Sequence, residues 1–130
     1  MTKAPNIRNE RGQTMVEFAL VLPVLLLVLF GIIQFGLAFT HYVALTDAVR
    51  AGARTAAVSR LSPTRVPDTV AKVKTASGDL DTTQVNVTVT STWTPGQDVV
   101  VSATYPYSIS LFGLVVASGN LTSQTSERVE

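Results

Sequence analysis

Twenty consecutive residues without a formal charge, Leu20 to Phe39, constrain this chain more than any other feature, and fifteen of them are Val, Ile, Leu or Phe. As an α-helix rising 1.5 Å per residue, such a run is about 30 Å long, the thickness of a bilayer's hydrocarbon core. Each large apolar side chain near the centre favours insertion by roughly 0.3 to 0.6 kcal/mol, so the run contributes about 5 to 9 kcal/mol. Glu17 stands just before the run. Near a helix end a carboxylate costs less than the roughly 2.5 to 3.5 kcal/mol of a charge at the centre, so insertion still wins.

Orientation follows from the flanks. Lys3, Arg8 and Arg11 precede the run, whereas Thr40 to Thr46 contain no Lys or Arg. Positive charge stays inside, which predicts a single-pass protein with a cytoplasmic N-terminus and an extracytoplasmic remainder. A cleaved secretory signal is the competing reading. Its apolar region is typically about 7 to 15 residues, shorter than this one, and no small-x-small cut site lies at Phe39 to Ala44.

Inside the run, Pro23 removes one helical hydrogen bond and favours a kink, and Gln34 is the one strongly polar side chain, able to bond a neighbouring helix. The helical pattern continues through HYVALTDAVRAGARTAAV, His41 to Val58, which lacks Pro and has one Gly. One helix from about Thr14 to Arg60 is predicted, on the order of 70 Å long, so roughly half projects from the membrane. Ala44, Ala48, Gly52 and Ala56 recur every fourth residue and form a groove of small side chains for a closely packed neighbour.

Ser62-Pro63 breaks the helix. A short amphipathic helix follows from about Pro67 to Ser77, with Val66, Val70 and Val73 on one side and Gly78 as its stop. The period then changes to two. QVNVTVTSTW alternates Val85, Val87, Val89, Ser91 and Trp93 with polar residues, Thr94 to Gln97 supplies a turn, and Asp98 to Ser108 returns antiparallel. Ile109 to Asn120 reads as irregular and largely apolar, and Leu121 to Val129 as a third strand. The expected fold is α+β and membrane-anchored: a long N-terminal helix, a short second helix and a small antiparallel sheet of about three strands covering the helix's outer half.

Several functions are excluded or left without support. With no cysteine, disulfides, thiolate catalysis and Cys-ligated metals are ruled out, and His41, as the sole histidine, rules out multi-histidine metal sites. No cofactor and no metal site is expected. Asp68, Asp79 and Asp81 lack EF-hand spacing and read as solvated loop acids. A net charge of +1 with scattered Lys and Arg gives no basis for a nucleic-acid partner. No phosphate-binding Gly loop, carboxylate pair or Ser-His-Asp arrangement points to an enzyme.

RGQTMVEF, Arg11 to Phe18, resembles a class III signal, the sequence cut by prepilin peptidases, with Gly12 before the cut and Glu17 five residues after it. Glu17-Phe18 followed by LPVLLLVLFGIIQFG is similar to the TadE-like family of minor pilins, or pseudopilins, of tight-adherence type IV pili. The similarity extends to DAVRAGARTAAV, PGQDVVVSATYPY and SERVE.

The resemblance implies that a prepilin peptidase cuts between Gly12 and Gln13 and that the partners are the bilayer, other pilin subunits and the pilus or secretion assembly machinery. It divides the chain into a leader (1–12), the transmembrane half of the long helix (13–40), its protruding half (41–60) and an extracytoplasmic α/β domain (61–130). Gln13 replaces the Phe found there in many type IV pilins, so methylation of the new amine is not implied. For Glu17, with Phe18 in the recognition segment, the resemblance implies pairing with the new α-ammonium of a neighbouring subunit. From position alone, Glu17 serves equally well as a cap on its own helix. The alternative function is a membrane-tethered binding module that does not enter a pilus.

Overall fold

A computed structural model describes residues 7–130, with side chains from Gly12 onward. Lys3, the side chains of Arg8 and Arg11, and the expected leader up to Arg11 lie outside the described side chains. Helix α1 runs from Ile7–Val58, 52 residues with Pro23 inside it, and is thus about 78 Å long. Pro23 is exposed and the helix continues through it.

The inner and outer parts of α1 meet different surroundings. From Gly12 to Phe30 every side chain except the half-buried Leu22 is exposed. From Gly31 outward a covered stripe runs through Gly31, Gln34, Ala38, His41, Leu45, Ala48 and Gly52, stepping by three and four residues, and from Ala44 on it broadens to include Val49, Ala53, Ala56 and Ala57. That spacing keeps one stripe facing a single neighbour along the helix axis. The neighbour is the sheet, joined towards the outer end by the second helix.

Helix α2, Arg65–Ala76, begins two residues earlier than its sequence pattern suggests, because Pro67 falls in its first turn, where a missing N–H costs no helical bond. Its buried face also differs from the expected valine stripe. Thr69 and Val73 are fully buried, while Val66 is 40% exposed. Thr69 tolerates burial because its hydroxyl donates to the Arg65 carbonyl at 2.7 Å, leaving its methyl for the core. The buried Ser77 hydroxyl is met in the same way by the Lys74 carbonyl at 2.7 Å.

Strands β1 (Asn86–Ser91), β2 (Asp98–Leu111) and β3 (Leu114–Arg128) form one antiparallel sheet in the order β1-β2-β3. Val99, Val101 and Ala103 alternate inward and are buried against α1, joined by Val85, Leu80 and Val129. Threonines 88 and 90 take the solvent face, as period-two patterning requires. The turn before β2 is tied to the chain's far end: Gly96 N–H donates to the Val129 carbonyl at 2.9 Å and Val129 N–H to the Gln97 carbonyl at 2.8 Å.

The third strand is where the fold departs most from expectation. Ile109 to Asn120 is not irregular: β2 continues to Leu111, turns through Phe112-Gly113, and β3 begins at Leu114, with a register shift between Ile109 and Ser110. Both turn residues have positive φ, 51° for Phe112 and 84° for Gly113. That geometry matches the right-handed strand twist of a two-residue hairpin, a position that ordinarily takes Asn or Gly. A phenylalanine there costs about 1 to 2 kcal/mol. Opposite Asn86, at Thr104, the β1 partnership ends. Pro106 lies just beyond, where β2 has only β3 beside it and a missing N–H is tolerated.

Candidate functional site

At the inner end of α1, Gly12 is open on all sides: a Cβ placed there would meet nothing within 4 Å. Gln13 and Glu17 are one turn apart and exposed, and the Gln13 amide Nε2 donates to Glu17 Oε1 at 3.1 Å. The carboxylate is therefore engaged by a neutral partner on its own helix. Phe18 is 64% exposed and turned away from any other element. Gly12, Gln13, Glu17 and Phe18 thus share one accessible helix end with no part of the outer domain near it.

Gln34 belongs to a different surface. It lies under the hairpin, lining a cleft of about 250 Å3 with His41, Tyr105 and Tyr107. His41 meets the Tyr105 ring edge-on, with centroids 5.7 Å apart. A second, more apolar cleft of about 370 Å3 lies between Phe35, Phe39 and Tyr42 of α1 and Tyr107 and Leu121 of the hairpin. Both clefts are seams where the hairpin rides on the helix. No cluster of three or more His, Asp or Glu side chains that could hold a metal occurs among the described residues.

The small-residue groove is occupied within the chain. Ala48, Gly52 and Ala56 are buried and Ala44 half-buried. Gly52 lies directly against α2: a Cβ built on it would overlap Val73 Cγ2 and stand 3.6 Å from the Thr69 carbonyl oxygen. The glycine is needed for that close approach. Asp47 and Arg50, with 3.5 Å between charged atoms, remain solvated on another face, where such a pair contributes little.

Two local devices hold the outer loops. Arg65 donates to the Arg60 and Ser62 carbonyls at 3.3 and 3.4 Å and carries its guanidinium over the Trp93 ring, 4.9 Å from the centroid. Asp81 accepts from the Thr83 hydroxyl, the Gln84 amide and the Thr83 backbone N–H, which together hold its carboxyl below the ordinary value of 3.8. Hydrogen bonds that favour the charged form have this effect.

Sequence reasoning does not reveal the apolar hairpin tip. Leu111-Phe112-Gly113-Leu114 holds the available signal, a glycine turn flanked symmetrically by leucines, but without the Asn-Gly or Asp-Gly that marks most such turns.

An exposed apolar helix of membrane length, roofed at its outer end by a second helix and a three-stranded sheet, defines a single-pass, membrane-anchored α+β protein of pilin-like architecture. Residues 12–54, about a third of the chain, match the family model described as TadE-like protein, so this helical segment is similar to that family. No curated protein and no solved structure matches the chain.

Proposed function

We propose that this protein is a minor pilin, or pseudopilin, of a tight-adherence pilus, inserted with its N-terminus in the cytoplasm and cut by a prepilin peptidase between Gly12 and Gln13. The carrying observation is the division of α1: from Phe18 to Phe30 it is apolar and, but for the half-buried Leu22, exposed, and only its outer part is covered by the chain's own sheet. A free helical surface of that kind is suited to lateral packing, first with lipid and then with the helices of other subunits.

The open surroundings of Gly12 favour access by a peptidase, and the exposed Gln13-Glu17 turn favours the role given to Glu17. Cutting after Gly12 creates an α-ammonium at Gln13. In the low dielectric among packed helices, attraction between that ammonium and a neighbour's Glu17 offsets part of the burial cost and penalises subunits out of register. Pro23, exposed on that free surface, is a candidate for tuning how helices pack, through local bending.

Mass spectrometry of the protein recovered from cells that possess the peptidase tests the proposal. A mature N-terminus at Gln13, lost in a Gly12→Leu variant, is expected. An intact N-terminus, or normal cutting of that variant, would overturn the processing.

A further inference from the structure

The β2–β3 hairpin does not stop at the top of the membrane helix. It descends along α1 from His41, against Tyr105, to Phe30, against Phe112, whose ring centroids are 5.6 Å apart and meet at 68°. Phe30 lies inside the membrane-length run, about 16 Å along the helix below His41 at 1.5 Å per residue. The tip that arrives there is apolar and bare: Phe112 is 72% exposed, Leu114 73%, Val115 64% and Val116 57%. Val99 to Ser126 contains no Asp, Glu, Lys or Arg.

We propose that the tip of this hairpin, Leu111 to Val116, is a second membrane-contacting element, seated in the outer leaflet beside α1. The exposed apolar surface of the tip is continuous through Phe112 and Phe30 with the lipid-facing surface of the helix, so the same solvent covers both. Depth is limited by the backbone. Beyond Thr104 β2 has no partner on its outer side, and β3 has none on its outer side anywhere. Open strand edges do not occur in contact with lipid in the hydrocarbon core. The tip therefore stays shallow: only its apex enters the acyl chains, within the roughly 5 to 10 Å at the headgroup boundary that amphipathic elements occupy, and the open edges stay above it.

This depth sets the level of the whole anchor. With Gln34 at the outer edge of the hydrocarbon, Phe30 and the tip lie about 6 Å below it, and the core reaches back roughly 20 residues to Thr14, so it is shifted towards the N-terminus from the Leu20 to Phe39 run and takes in Glu17 in its first turn. Tyr107, in the cleft with Phe35 and Phe39, which lie about 2 to 8 Å above that edge, then falls at the headgroup level, where tyrosine is enriched for its apolar ring and polar hydroxyl. Placing Phe112 in a turn position made for Asn has a physical return, since a bulky ring at the apex is the first group to enter the leaflet. The inference depends on the helix spanning a membrane and not on its entry into a pilus.

The chain has no cysteine, so single substitutions carry unique probes. Full-length protein in phosphatidylcholine vesicles would be labelled with an environment-sensitive fluorophore at Val115→Cys on the tip, Ile32→Cys on the helix or Thr90→Cys on β1. Lipids brominated at a shallow or a mid-chain position serve as quenchers, with aqueous iodide as their counterpart and Trp93 emission as the check on folding. Val115 is expected to lose intensity to shallow bromine more than to mid-chain bromine and to be shielded from iodide, while Thr90 responds to iodide alone. Iodide quenching at Val115 without bromine quenching overturns the proposal. So does shielding from both quenchers, which would mean that the tip lies against protein. If Val115 fails while Ile32 is quenched by bromine, the helix still spans and only the hairpin assignment falls.

Discussion

Gly52→Ala sets two effects of known size against each other. In an exposed helix interior the change stabilises by about 1 kcal/mol, because alanine loses less backbone freedom on folding. Here the new methyl overlaps Val73 Cγ2. Overpacking of a tight core costs roughly 1 to 3 kcal/mol, so the variant is expected to be less stable by about 1 kcal/mol. Val73→Ala removes two buried methyl groups, about 1.6 kcal/mol by transfer, and about 2 to 3 kcal/mol with the cavity left behind. In the double variant the alanine methyl enters the vacated space. The combined loss should therefore fall short of the sum by about 1 to 2 kcal/mol, well beyond the roughly 0.3 to 0.5 kcal/mol scatter of independent sites. Urea unfolding of the full chain in detergent micelles, followed by Trp93 emission, measures each corner of the cycle, because Trp93 is the sole tryptophan and packs against the core. A Gly52→Ala variant more stable than the parent, or strict additivity in the double variant, would refute the claim that α1 and α2 are in contact through this glycine.

Other parts of the structure give equally direct expectations. Glu17→Ala should leave insertion intact, since it removes a charge from the helix end, but abolish pilus assembly, scored by electron microscopy of cells. Asp81 has a lowered carboxyl pKa, so its contribution is fully present above the ordinary value of 3.8 and is lost as pH falls through the lower folded value; Asp81→Asn should flatten that part of an acid unfolding profile, which acid titration of Trp93 emission measures. Arg65→Met should lower stability by about 0.5 to 1 kcal/mol through loss of the contact with Trp93, visible as an earlier urea midpoint. Val101→Ala, emptying a fully buried position on β2, should cost about 2 kcal/mol in the same assay.

The readable parts of the sequence are those where one physical demand acts alone. The charge-free run from Leu20 to Phe39 has to be a helix because lipid offers its backbone no partners, and the valines of β1 and β2 alternate because one face of the sheet meets α1 and the other meets water. Where two demands overlap, the pattern fades. The stretch Leu111 to Val116 has no polar side chain on either face, so it shows no alternation, and its turn carries Phe where Asn or Gly would mark it. The inward face of α2 was hidden by Thr69, whose burial depends on a hydrogen bond back to Arg65 that no hydropathy pattern displays. At the candidate site, the spacing from Gly12 to Glu17 was legible from the resemblance of that segment, whereas the contacts of Gln34 and His41 depend on where a distant hairpin descends.

The early end of β1 has a mechanical consequence. Between Asp98 and Thr104 the ribbon is held on both sides or against the core, and from Tyr105 to Leu121 it is two strands wide. A two-stranded ribbon twists and bends more readily than a broader sheet and opens at lower free energy. The outer domain is therefore stiffest far from the helix midpoint and most compliant where it approaches it. Amide exchange should divide the hairpin near Thr104 and Thr122, slow on the outer side and fast towards Phe112, so that the head can tilt on the long helix without its core repacking.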